Sequence, residues 1–303
     1  MKHVIFIFLL LVSTTFAQSA NHFLAPDTSV LAANTNNDPK LSRAVELNNQ
    51  AVQFCLENRP AEAVPLLRKA LEIDPNSTIS RRNLGIAFYN LKNYEKAIEI
   101  FEEIRARKAV PDVKTLVILG ESLFAVGKNA ESLEVLRKAL EIEPDNAIAL
   151  YNYGSVLQEL KNYTEALKQY DRALDLQPDL TKALNNRGMT HFLLGDHQKA
   201  LADLQKAFRL DETCAEYNNN LGVVFAHSGK KKLAHKYFLE AVRLRPDFSS
   251  AHFNLALSFQ ALGKRDEVFR HLRRLKELDE NLAEILRKEM SKQFVVNAGE
   301  NAN

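Results

Sequence analysis

Asparagine recurs at Asn49, Asn83, Asn152, Asn186, Asn220 and Asn254, in steps of 34 or 35 residues once Ile118 is counted in the one gap. A carboxamide carries both a donor and an acceptor. A line of them can bond the C=O and N–H of an extended peptide whatever that peptide's side chains. Each such bond contributes roughly 0.5–1.5 kcal/mol net, so several together reach the micromolar range before ordering costs. Specificity would come from neighbours on the same face: Arg82, Lys182, Tyr151 and Phe253. Tyr151 and Phe253 are of the type that anchors interfaces. The bland readings stand beside these: the asparagines as solvated residues, the two aromatics as partly buried wall.

Other chemistry finds little support. Of the ten glycines, Gly85, Gly120, Gly154, Gly188 and Gly222 sit mid-helix, and Gly127, Gly195, Gly229 and Gly263 sit in turns. Only Gly299 is left over, so no phosphate-cradling loop exists. Cys55 and Cys214 lie several structural repeats apart, too far for a bridge within one chain. They read as small buried hydrophobes. His191, His197, His227, His235, His252 and His271 fit no metal-ligand spacing, and no nucleophile elbow appears. The expectation is a chain with no catalytic residues, no metal and no cofactor.

The elements that hold the asparagines are written several times over. In the clearest copy, Leu150, Tyr153 and Leu157 mark one apolar stripe, and Ala166, Tyr170, Ala173 and Leu174 a second. Both have the spacing of one helix face. Lys161-Asn162 forms the turn between them, and Pro178 ends the unit. The mid-helix glycines recur where a neighbouring helix must approach, as do Ala63, Ala97, Ala166, Ala200 and Ala234. A glycine there costs about 1 kcal/mol against alanine, which close packing explains.

Leu84-Gly85, Phe88, Ala97 and Phe101, and again Leu221-Gly222, Phe225, Ala234, Phe238, Ala241 and Pro246, resemble the tetratricopeptide repeat. The resemblance covers residues 44–282, as units 44–77, 78–112, 113–146, 147–180, 181–214, 215–248 and 249–282. It implies an all-α, right-handed α-solenoid of about seven helix–turn–helix repeats whose first helices line a concave face. It also implies a non-catalytic scaffold that binds a protein or peptide in that groove. The asparagines look like the ladder in the repeat region of O-linked N-acetylglucosamine transferases, whose catalytic domain has no counterpart here. They are also common in the family and so read equally as inherited consensus. Lys182 and Asn186 match part of the carboxylate clamp of chaperone-binding members, but its other cations are missing, so capture of a C-terminal carboxylate is not expected.

The flanks read differently. Residues 1–17 have Lys2, an apolar run from Val4 to Val12 and small residues before Ala17, the pattern of a secretory signal peptide. Export to a periplasm or the extracellular space is therefore expected. Residues 18–43 read as a flexible leader. Residues 283–293 read as a capping helix with Ile285, Leu286 and Met290 on the face continued from Leu282, and 294–303 as a disordered tail. Pro65 should weaken the early turns of its helix. Net charge is only +2, so nucleic acid is not expected, nor is stable membrane insertion. Cations crowd the last repeats, among them Lys230, Lys231, Lys232, Lys236, Arg270 and Arg273. They suggest an acidic partner or anionic polymer, or else a solvated face diluted by Asp266, Glu267 and Glu277. A non-catalytic subunit of an envelope enzyme complex is a further alternative.

Overall fold

The computed structural model describes residues 38–107 and 112–300, and all regular structure among them is α-helix. The chain forms two compact units that divide between Leu176 and Gln177. The N-terminal unit pairs α1 (Pro39–Leu56) with α2 (Pro60–Ile73), α3 (Thr78–Asn90) with α4 (Tyr94–Arg107), α5 (Val113–Ala125) with α6 (Asn129–Ile142), and α7 (Ala147–Glu159) with α8 (Tyr163–Leu176). The C-terminal unit pairs α9 (Thr181–Leu193) with α10 (His197–Leu210), α11 (Ala215–His227) with α12 (Lys231–Leu244), and α13 (Ser249–Ala261) with α14 (Arg265–Leu278). It ends in α15 (Glu280–Glu300). Within each unit, the first helices of successive pairs touch one another, and each second helix packs against both its own partner and the next first helix.

Local chemistry sets these boundaries. Ser77, Asp112 and Asn146 cap α3, α5 and α7 by accepting from the backbone N–H of Ser80, Thr115 and Ala149 at 3.2, 2.9 and 3.0 Å, which satisfies donors that a helix start leaves bare. Between paired helices the chain turns through the left-handed region. Glycine fills that place at Gly127, Gly195, Gly229 and Gly263, whereas Asn58, Lys92 and Lys161 take φ of 59°, 57° and 62° without one. The mid-helix glycines admit the partner helix directly. A Cβ on Gly222 would lie 2.5 Å from Phe238 Cε1, and one on Gly154 would lie 2.8 Å from Tyr170 Cε1. Phe238 and Tyr170 are fully buried, so each first helix is seated on the large residue of its second helix.

Two boundaries differ from the sequence reading, and α2, the helix expected to be weakened at Pro65, is unbroken. Helix α1 begins at Pro39, inside the span expected as leader, because Asp38 accepts from Lys40 N–H at 2.8 Å and proline suits the first helical position. Its first turn is exposed, so no apolar period marks it. Helix α15 starts before residue 283 and runs on past the buried Met290 into the stretch expected as tail. The proposed signal peptide, leader residues 18–37, linker residues 108–111 and residues 301–303 lie outside the described residues.

Candidate peptide-binding wall

In the C-terminal unit the asparagines are bonded to one another. Asn254 donates to Asn219 Oδ1 at 2.9 Å, Asn219 to Asn220 Oδ1 at 3.4 Å, Asn220 to Asn185 Oδ1 at 2.9 Å, and Asn185 to Asn186 Oδ1 at 3.2 Å. Five amides on α13, α11 and α9 thus form one chain of hydrogen bonds, all running in the same direction. The links between repeats span 35 residues: each ladder asparagine donates to the residue just before the ladder position of the preceding repeat. The N-terminal unit begins in the same way, with Asn83 donating to Asn48 Oδ1 at 2.9 Å.

Where Ile118 interrupts the series the scheme changes. The position that would accept from Asn152 is Val117, whose side chain has no acceptor. Asn152 instead donates to Glu121 Oε1 at 2.7 Å, one turn further along α5. Asn152 and Glu121 are both buried, and so is Ile118.

The expected contact residues therefore divide. Asn152 and Asn254 are buried (1% and 0% exposed) and sit between repeats. Asn83, Asn186 and Asn220 are half-buried, and Asn49 is exposed. Asn83 and Asn220 each spend one N–H on the preceding repeat and keep a second, which is what a ligand carbonyl needs. Lys182 is half-buried on α9, one turn before Asn186. Arg82 is half-buried and lies 3.7 Å from Asp112. Phe253 is fully buried and belongs to the core that includes Leu282 and Leu286 of α15. It is not an open anchor, because α15, rather than another asparagine, follows it. Tyr151 is also buried, with its ring 6.3 Å from that of Tyr170.

The remaining chemistry is structural. Burial pushes the Cys55 thiol up to about 11 and that of Cys214 to about 12, so neither is a ready nucleophile. Among the described residues no group of three potential ligands converges on a metal site, and no helix is long and apolar enough to cross a membrane. One pairing escaped the sequence reading: His252 and His271 meet Nδ1 to Nδ1 at 2.8 Å, between α13 and α14.

Comparison with known proteins bears directly on these helix pairs. The tetratricopeptide repeat pattern matches residues 113–179, 145–213 and 179–247, and a second pattern of the same repeat matches 56–117. The chain belongs to the tetratricopeptide repeat family. A tetratricopeptide repeat protein from Parabacteroides merdae has a similar fold, with a TM-score of 0.66 at 14% identity over 82% of this chain and 99% of that one. The small glutamine-rich tetratricopeptide repeat-containing protein 2 of Mycosarcoma maydis is 29% identical over 112 residues, which are 37% of this chain and 31% of that protein. A probable UDP-N-acetylglucosamine–peptide N-acetylglucosaminyltransferase SPINDLY of Hordeum vulgare is 25% identical over 118 residues, 36% of this chain and 12% of its own length. The chain therefore spans about a third of the first relative and about an eighth of the second. As a tetratricopeptide repeat protein it has the architecture of a protein–protein interaction scaffold.

Proposed function

We propose that this tetratricopeptide repeat protein binds an extended peptide segment of a protein partner along the wall of its first helices, without catalysing a reaction on it. The observation that carries the reading is the bonded amide chain. Asn220 and Asn83 are held by their inward bonds in one orientation, so their second N–H is fixed before a ligand arrives. Preorganised donors lose little entropy on binding. Asn186 and Lys182 extend the wall on α9, with Lys182 adding a cation that favours an acidic side chain on the peptide. Asn152 and Asn254 act beneath the wall, joining the repeats that carry it. The partner sits in an exported compartment if residues 1–17 are removed as a signal peptide. N-terminal sequencing of the protein purified from whole cells of its host tests that point: an N-terminus at Gln18 supports export, and an intact Met1 argues against it.

The binding test uses peptides. Binders would be selected from a random peptide array with the full chain and then resynthesised with single backbone N-methyl groups. Backbone recognition predicts loss of binding at a regular subset of N-methylated positions, with alanine replacement at the same positions tolerated. Binding that tracks side chains alone would contradict the amide wall.

A further inference from the structure

The second helices of the two units differ in charge. In α2, α4, α6 and α8 carboxylates equal or outnumber cations, whereas in α10, α12 and α14 cations lead by two or three. On α12, Lys232, Lys236, Leu239 and Arg243 follow one another at spacings of four, three and four residues, which places them on a single face. All four are exposed, opposite the buried Ala234, Phe238 and Ala241. The corresponding places on α14 hold Asp266, Arg270, Arg273 and Glu277, also exposed, with Phe269 beside them and Glu277 paired with Arg274.

Two features separate this face from an ordinary solvated one. Nearby carboxylates neutralise only part of it. Glu240 pairs with Arg243, and Glu267 with Arg270, while Lys232, Lys236, Arg273 and Lys276 have no carboxylate among the described residues within ion-pair distance. Apolar side chains also stand out among the cations: Leu233, Leu239 and Phe269 are 37%, 44% and 42% exposed. Large exposed apolar residues elsewhere on the described second helices occupy helix ends, as Ile142, Leu176 and Leu210 do.

We propose that the outer face of α12 and α14 adsorbs to an anionic lipid bilayer. Lysine and arginine would meet the headgroups, and Leu239 and Phe269 would enter the boundary between headgroups and acyl chains. The apolar residues decide for lipid over a soluble polyanion, which offers them nothing to bury in. This is peripheral binding and requires no spanning helix. It is independent of the peptide reading, since it uses second helices and different residues.

The test is sedimentation of the full chain with phosphatidylserine–phosphatidylcholine vesicles and with pure phosphatidylcholine vesicles. The apolar run Val4–Val12 contributes alike to both, so the difference between them is the readout. Each cation at an anionic surface is worth about fivefold in partitioning, so Lys232→Gln/Lys236→Gln/Arg273→Gln should weaken binding to the anionic vesicles about a hundredfold. Leu239→Ser/Phe269→Ser should weaken it about tenfold, at unchanged net charge. All five residues are exposed, and unchanged helical circular dichroism would confirm the fold. Equal binding of the parent to both vesicle types would overturn the proposal. So would a parent-like glutamine variant. A serine variant as strong as the parent would also overturn it and assign the face to a soluble acidic partner.

Discussion

Asn219→Ala should destabilise the C-terminal unit, because the buried Asn219 amide joins two repeats. The side chain accepts from Asn254 at 2.9 Å and donates to Asn220 at 3.4 Å. The first bond has good geometry and the second is long. Losing the first removes about 1 kcal/mol and strands the Asn254 N–H, which adds about 1–3 kcal/mol for an unpaired buried group. Asn254 is fully buried, so water cannot replace the lost acceptor. The expected total is about 2–4 kcal/mol. Asn254→Ala should cost less, about 1–2 kcal/mol, because its own Oδ1 is buried without a described partner and that penalty disappears. Together the two changes should cost about 1–2 kcal/mol less than their sum, since no stranded group remains. Repeat arrays unfold by coupled neighbours rather than all at once, so amide hydrogen exchange in α11 and α13 is the better assay. Asn49→Ala, at an exposed position, is the control and should stay within about 0.5 kcal/mol. Additivity of Asn219→Ala and Asn254→Ala to within about 0.5 kcal/mol would refute the amide chain as a coupled element.

Other predictions concern packing, turns and pH. Gly222→Ala would push a Cβ to 2.5 Å from Phe238 Cε1 and should cost about 1–3 kcal/mol; adding Phe238→Leu should recover part of this in the same unfolding assay. Lys161→Gly should stabilise the N-terminal unit by about 1 kcal/mol, because Lys161 holds φ of 62° where glycine has no steric penalty, and a lowered denaturation midpoint would count against it. His252 and His271 should make the C-terminal end acid-sensitive. His252 Nε2 faces Pro246 O at 3.0 Å and must donate, so its Nδ1 accepts from His271. Burial holds both below the ordinary value of 6.5, that of His271 at about 4; the Pro246 carbonyl and Asp247 oppose this at His252 while Arg274 adds to it, and His252, Arg270 and His235 add to it at His271. Both are therefore neutral when folded, and the stability they lend is present above pH 6.5 and is lost as pH falls toward about 4. Hydrogen-exchange protection factors in α13–α15, corrected for the intrinsic rate at each pH, should fall across that window, and His271→Phe should flatten the change.

The repeat itself was legible because its signals are local. Apolar stripes, turn residues and the glycine opposite each large aromatic or leucine all recur at one period, and each has a single physical reading. The ladder was legible as a position but not as a set of bonds. Its acceptors are the residues just before it, so the paired asparagines Asn48-Asn49, Asn185-Asn186 and Asn219-Asn220 were the available signal. Such a pair can serve a ligand or a neighbouring repeat, and spacing does not distinguish these uses. Phe253 misled for a related reason. It shares the register of Asn185 and Asn219, but the element that follows it is apolar. The meeting of His252 with His271 depends on how α13 and α14 pack, which no periodic pattern records.

The most direct test of the amide wall is side-chain amide NMR of 15N-labelled protein titrated with a selected peptide. The account predicts that the Nδ2 resonances of Asn83, Asn186 or Asn220 shift on binding, while those of Asn152 and Asn254 stay where they are, locked between repeats. Unchanged resonances at all three half-buried asparagines with a saturating peptide would contradict it.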